Sequence, residues 1–280
     1  MCGEIDAPRV RLELISRPEA ARLVRSVSSA AAEALGFHPE LQADVNTAVA
    51  EACNNVILHA YGGDPGPLAV ELGLLLDGVE VRICDYGRGI GQALPEPDRL
   101  KVGLPLMSAL ADRAEFITPP DGGTEVRLFF QQRNEPARLE VPAADGRGEW
   151  QLGRVVTLPG DVTLTVSPVS LLGPVLGRLG RTLAPSAGFS LERCYDVYLL
   201  TDVLAAHVEE AAEDGAISVS LGARDRQLEF ALGPLRAGTS DRLEARASNA
   251  TLSWLTEEIA IKALDGYETL RVSMRDHLRG

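Results

Sequence analysis

The stretch VEVRICDYGRGIG, from Val79 to Gly91, decides the fold. Val79, Val81 and Ile83 alternate with Glu80, Arg82 and Cys84, the period of a half-buried β-strand. The strand runs directly into Asp85, and glycines follow at Gly87, Gly89 and Gly91. An acid at a strand end, followed by spaced glycines, sets a fixed acceptor beside backbone that a ligand can approach closely. A glycine-rich turn without a ligand has the same local pattern. Just upstream, Leu68 to Leu76 also alternates, and Asp77-Gly78 is a tight turn joining the two strands.

Before this hairpin the sequence predicts a helix from about Pro39 to Ala60, closed by the Gly62-Gly63 turn. It carries EACNNVILHAY, in which Glu51, Asn55 and His59 lie four apart and share one face. A carboxylate there can accept a proton, and an amide oxygen one turn away can ligate Mg²⁺. The same spacing suits a solvated polar face, and His59 and Tyr61 equally suit core or capping roles. Further out, Val10 to Leu14 alternates as a strand, and Pro18 opens a helix that stops at Gly36. Downstream, Gly103-Leu104-Pro105-Leu106 heads a helix whose first amides suit phosphate. Gly122-Gly123-Thr124 then precedes a last strand, EVRLFF. The pattern predicts an α+β fold: a two-layer sandwich with helices on one face of a mixed, mostly antiparallel sheet.

Composition narrows the function. The 280 residues include 40 acids against 27 bases, a net charge of −13, with 45% hydrophobic and 24% charged residues. That is a globular composition, and so acidic a chain is poorly suited to direct nucleic-acid binding or an anionic membrane. Lysine occurs only at Lys101 and Lys262, and Cys2, Cys53, Cys84 and Cys194 have no metal-like spacing. Without an apolar run of ~18 residues or a basic, apolar leader, the expected location is cytoplasmic.

The sequence also echoes itself. Leu35-Gly36-Phe37 returns as Ala187-Gly188-Phe189, displaced by 152, and LAVELG (68–73) returns as ISVSLG (217–222), displaced by 149. A tandem pair of like domains follows as the expectation: 1–132, a linker over 133–160 rich in Pro, Gly and mixed charge, and 161–280. At these displacements Glu51 maps to Val203, Asn55 to His207, Asp85 to Pro234 and Gly87 to Arg236, with Gly238 in the place of Gly89. The second copy is therefore expected to have lost the chemistry.

Taken in order, E-x-x-x-N, DYGRGIG, VGLPLM and GGTEVRL resemble the motifs of the Bergerat-type ATP-binding domain shared by gyrase, heat-shock chaperone, histidine-kinase and mismatch-repair ATPases. The NNVILHAY continuation and the short lid from Gln92 to Val102 are most similar to the bacterial anti-sigma-factor serine/threonine-protein kinases. The resemblance covers about residues 10–130. It implies ATP and Mg²⁺ as ligands, with Glu51 as general base and Asn55 on the metal. Asp85 would accept the adenine amino group, with Gly87 and Gly89 beside the base, Gly91 opening the lid and Thr124 supporting Asp85. Arg99, Lys101, Gly103 and Leu104 would attend the phosphates, and Arg22 would grip a partner protein. Pro105 departs from the family's second glycine box, so one phosphate contact is expected to be missing. The implied activity is phosphorylation of a STAS-class anti-anti-sigma protein, with a sigma factor as a further partner. The alternative is a nucleotide-dependent binding module without phosphoryl transfer. The family's homodimers also suggest a homodimer here, or an intramolecular pseudo-dimer in which the second half replaces a second subunit.

Overall fold

The structure, a computed structural model, describes residues 8–75, 77–89, 100–120, 122–132, 160–212, 215–240, 250–264 and 266–277. The chain divides into two compact units, Met1–Glu149 and Trp150–Gly280.

The first unit runs β1 (Arg9–Ile15), α1 (Ala20–Ala34), α2 (Pro39–Asn55), β2 (Pro67–Leu75), β3 (Gly78–Asp85), α3 (Leu100–Leu110), β4 (Arg113–Ile117) and β5 (Thr124–Gln131). Its strands lie in the order β4-β5-β3-β2-β1, each pair antiparallel. Alternation decides which face is dry. Val10, Leu12, Leu68, Val70, Leu72, Val79, Val81, Ile83, Val126, Leu128 and Phe130 are buried on one side. Against them lie Leu23, Val24, Val27, Ala30 and Ala31 of α1, and Val45, Ala48, Val49, Ala52 and Cys53 of α2, at helical spacing. Each fully buried Val, Leu or Ile stabilises the fold by about 1.5–3 kcal/mol. The intervening strand residues form ion pairs on the other face: Arg82–Glu80 at 3.0 Å, Arg127–Glu125 at 2.6 Å, and Arg11 with both Glu13 and Glu71. Charged residues on one face and apolar ones on the other leave a single helical layer, as the pattern predicted.

Three local features depart from the sequence reading. The helix from Pro39 does not stay regular to Ala60; α2 ends at Asn55 and Val56–Ala60 forms a wider π-helical turn. An edge strand, β4, intervenes before β5; five residues with little alternation concealed it. Finally, α3 begins at Leu100, so Gly103 is its fourth residue rather than its cap.

The second unit runs β6 (Val162–Ser167), α4 (Leu172–Ser186), α5 (Leu191–Ala211), β7 (Ile217–Arg224), β8 (Gln227–Arg236), α6 (Ala250–Leu255), β9 (Glu258–Leu264) and β10 (Tyr267–Arg275). Its strand order is β6-β7-β8-β10-β9, again with antiparallel neighbours. Element for element this matches the first unit. The core again joins one sheet face (Leu164, Val219, Leu221, Phe230, Leu232, Val272) to α4 and α5 (Leu176, Leu179, Val197, Leu200, Leu204). Among the described residues, no helix is long and apolar enough to cross a membrane.

Candidate functional site

Asp85 ends β3 in register with Leu68 on one side and Thr124 on the other. It is only 5% exposed, yet it faces a cavity. Its Oδ1 accepts the amide of Gly87 at 2.8 Å, and Thr124 donates to it through both backbone and hydroxyl. Burial pushes its carboxyl pKa above the ordinary value, while these hydrogen bonds pull the other way. The group is thus a fixed acceptor on the wall of a mostly apolar cleft.

The backbone around it needs glycine. A Cβ on Gly87 would collide with the Ala60 carbonyl, and the Gly123 position (φ +83°) leaves no room before the Asp85 carbonyl. The Gly123 amide donates to Gly87 O at 3.0 Å, and the Arg88 amide donates to Ala60 O at 2.9 Å. The loop after β3 is therefore clamped between the end of the π-helical turn and the start of β5. π-turns recur at functional sites because the widened ring redirects side chains. Here the turn places His59 and Ala60 on the cavity wall. It also sends the Tyr61 hydroxyl to donate to Pro67 O at 2.5 Å and accept from the Tyr86 amide at 2.9 Å. Tyr61 so ties the start of β2 to the residue after Asp85.

The cavity measures about 60 Å³ and is lined by Ala52, Asn55, Val56, His59, Ala60, Ile83, Asp85, Gly89, Leu104, Thr124 and Val126. Its apolar walls and single carboxylate suit a flat, amine-bearing heterocycle. The helix α3 lies close above: a Cβ built on Gly103 would sit 3.2 Å from Asn55 Nδ2 and 3.5 Å from Glu51 Oε2. Gly103 thereby brings the Glu51 carboxylate, the Asn55 carboxamide and the first turn of α3 to one place. Pro105 lies inside α3, where its missing N–H leaves the Lys101 carbonyl without its usual helical donor.

Of the residues singled out from sequence, Asn55, Asp85, Gly89, Leu104 and Thr124 line this cavity, and Gly87, Gly103 and Glu51 adjoin it. Arg22 lies on the exposed face of α1, outside the lining. Gly91 and Arg99 lie outside the described residues, as does the side chain of Lys101. In the sequence His59 and Tyr61 suit core or capping roles as well as functional ones; the π-turn that gives them their places has no clear sequence signal.

The residues present fit ATP and Mg²⁺. A buried acceptor waits where an exocyclic amine would bind, and glycines leave the surrounding backbone bare. The Asn55 carboxamide stands beside the α3 amides. Mg²⁺ commonly takes one or two protein oxygens and completes its shell with phosphate and water.

Among the described residues of the second unit, none of this set recurs. The register Ser218↔Gly233 repeats Ala69↔Cys84, which puts Pro234 where Asp85 stands. Leu232↔Leu270 repeats Ile83↔Val126, but the register shifts between Leu270 and Glu268, so Glu268 stands opposite Leu235, one residue beyond Pro234. The buried Glu268 carboxylate accepts the amides of Gly238 and Ser240, the latter at 3.1 Å. Burial disfavours its charge, but these amides outweigh it and hold the pKa below its ordinary value. His207, 4% exposed, stands at the position of Asn55. The chain's own acid thus ties down the start of the segment that follows β8.

Comparison with known proteins agrees with this geometry. Residues 14–130 match the histidine kinase-like ATPase domain. The serine-protein kinase RsbW of Bacillus licheniformis is 31% identical over 137 residues, which are 44% of this chain and 84% of the relative. The chain belongs to the anti-sigma-factor serine kinase family. The anti-sigma F factor of Caldanaerobacter subterraneus subsp. tengcongensis is 29% identical over 129 residues, 42% of this chain and 90% of that protein. The RsbW of Bacillus cereus is 29% identical over 79 residues, and there the chain spans about half of the relative, 49%. The α+β architecture expected of this anti-sigma kinase family is the one observed.

Proposed function

We propose that the first unit binds ATP with Mg²⁺ and phosphorylates a serine of a STAS-class anti-anti-sigma protein, with a sigma factor as a second partner. The observation that supports this best is the meeting of Glu51, Asn55 and Gly103 beside the Asp85 cavity. Asp85 accepts the adenine 6-amino group, and the free amides of α3 face the phosphates. Asn55 Oδ1 holds the metal, which screens phosphate charge when bound. Glu51 takes the proton from the serine hydroxyl; the hydroxyl oxygen bonds to the γ-phosphorus as the bond to ADP breaks. Arg22 contributes to the partner surface on α1. The second unit is read as a degenerate copy that keeps the scaffold and not the chemistry, as the shared strand order and the Glu268 tether support.

The test is incubation with labelled ATP, Mg²⁺ and a STAS protein encoded nearby. Glu51→Gln is expected to slow transfer by about 10²–10⁴-fold while ATP binding stays within a few-fold. Transfer that survives the substitution overturns the role of Glu51. The second reading is a nucleotide-dependent binding module without phosphoryl transfer. Tight ATP binding with no phosphoserine in the partner selects it.

A further inference from the structure

A groove of about 530 Å³ opens in the second unit, at the N-terminal end of α5. Its volume falls within the ~300–1,000 Å³ of ligand sites. The first turns of α5, the ends of α6 and β10, and Arg226 in the β7–β8 turn form its walls. Trp254 of α6 stands among them and is 57% exposed. The Arg193 guanidinium lies over its ring, 5.8 Å from the centre. The indole thus already takes one guanidinium on its π-face, and its exposure leaves room for another.

The cations of the groove are engaged from within. Arg193 donates to Asp196 at 3.1 Å and to the Arg275 and Leu255 carbonyls, each at 3.0 Å. Arg226 donates to the Asp276 carboxylate at 2.6 Å and to its carbonyl at 3.0 Å. Arg275 donates to Gln227 at 2.6 Å and faces Glu257 at 3.7 Å, and His277 meets the same Glu257 at 2.8 Å. The end of α5 is occupied too: Asp276 accepts the Ser190 amide at 2.5 Å, and the Ser190 hydroxyl accepts the Arg193 amide at 3.3 Å. An anionic ligand would have to break these pairs. Glu192 differs, for it is exposed in the groove and, among the described residues, nothing pairs with it. The charge left over for a ligand is therefore negative.

The first unit has the matching place without these groups. There the Asp112 amide donates to the Phe129 carbonyl at 2.9 Å, as the Glu257 amide donates to the Ser273 carbonyl at 2.9 Å, which fixes the correspondence. Ala109 then stands for Trp254, Leu41 for Arg193 and Gln131 for Arg275. The fold needs neither an indole nor a guanidinium here; the unit that lacks the nucleotide set carries both. We propose that this groove binds an arginine side chain presented by a segment of a partner protein. The guanidinium stacks on the open part of the Trp254 ring and pairs with Glu192. Arginine suits the place better than lysine, because its planar head is weakly hydrated and stacks on aromatic faces. The groove has room for the flanking residues of a peptide as well. A net charge of −13 on the chain draws a cationic partner toward it. The inference stands apart from the nucleotide site.

The sequence has two tryptophans, so Trp150→Phe makes the emission of the full chain a report on Trp254. That chain is titrated with acetyl-Gly-Leu-Arg-Leu-Gly-amide to about 10 mM, and a saturable change with a Kd on the order of 1 mM is expected. Citrulline in place of the peptide's arginine keeps the shape and removes the charge; it should bind at least about 10-fold more weakly. Glu192→Gln should weaken the arginine peptide several-fold, and the difference should shrink in high salt. Trp254→Ala, followed by calorimetry, should lose the binding. Both side chains are exposed, and melting curves show that the variants are folded. Glu51→Gln should bind the peptide as the parent chain does, which separates this result from that at the nucleotide site. Four results overturn the proposal: no saturable change up to about 10 mM, equal binding of the citrulline peptide, tighter binding of a peptide with glutamate in place of arginine, or binding that survives Trp254→Ala. Free argininamide binding as tightly as the peptide overturns the assignment to a protein segment.

Discussion

Replacing Asp85 by asparagine separates what this residue does for ATP from what it does for the fold. Its carboxylate accepts from Gly87 N, at 2.8 Å, and from Thr124, while it also faces the cavity. Asparagine has one acceptor oxygen and one donor nitrogen. If the oxygen keeps Gly87 and Thr124, the nitrogen points at the adenine amino group, donor against donor. If the side chain flips, the internal amides lose their acceptor. One charge-assisted bond is lost either way, about 1.5–3 kcal/mol. That is a rise of roughly 10- to 150-fold in the Kd for ATP.

The effect on the free protein has the opposite sign. Burial raises the folded-state pKa of Asp85, so between its unfolded and folded values the native state binds the extra proton. Stability then falls as pH rises through that window, and at neutral pH the buried charge costs stability. Asparagine removes that cost. The melting temperature of Asp85→Asn without nucleotide at pH 7 is expected to equal or exceed that of the wild type. Calorimetric titration with Mg-ATP and thermal melts in its presence and absence read both effects. An ATP affinity within about 3-fold of wild type, in a variant that melts normally, would refute Asp85 as the adenine acceptor.

Three further outcomes follow from particular contacts. Tyr61→Phe removes the hydroxyl shared by Pro67 O and the Tyr86 amide; the loss of about 1 kcal/mol should lower the melting temperature by about 2–4 °C and weaken ATP several-fold in the same titration. Cys53 is fully buried, and burial pushes its thiol up to about 12, with Cys84 raised to about 11. Thiol labelling of native protein at about pH 8 should therefore miss Cys53, react slowly with Cys84, and reach both only after unfolding. Glu268 has a folded-state pKa below its ordinary value, so its stabilisation is fully present above the unfolded pKa and is lost as pH falls through the folded one. Glu268→Gln should lower stability at neutral pH and flatten its loss in acid, as read by denaturant melts across pH.

What was legible in the sequence was whatever depends on neighbours along the chain. Alternation marked β2 and β3 because a strand shows its two faces every second residue. Helical spacing put Glu51, Asn55 and His59 on one face, and glycine spacing marked the bend after Asp85. The repeated order of elements also showed, since each unit satisfies the same local rules. Distance along the chain carried the rest out of sight. Nothing near Gly103 says that it rests against Asn55. The π-turn after Asn55 ends at Ala60, whose carbonyl accepts from the Arg88 amide of the loop after β3. Glu268 reaches the amides of Gly238 and Ser240 only once β8 and β10 are paired. Which apolar residues stay wet, as Tyr195 and Leu199 do, is likewise settled by how α5 packs on its sheet, because burial is a property of the assembled layers and not of any one helix.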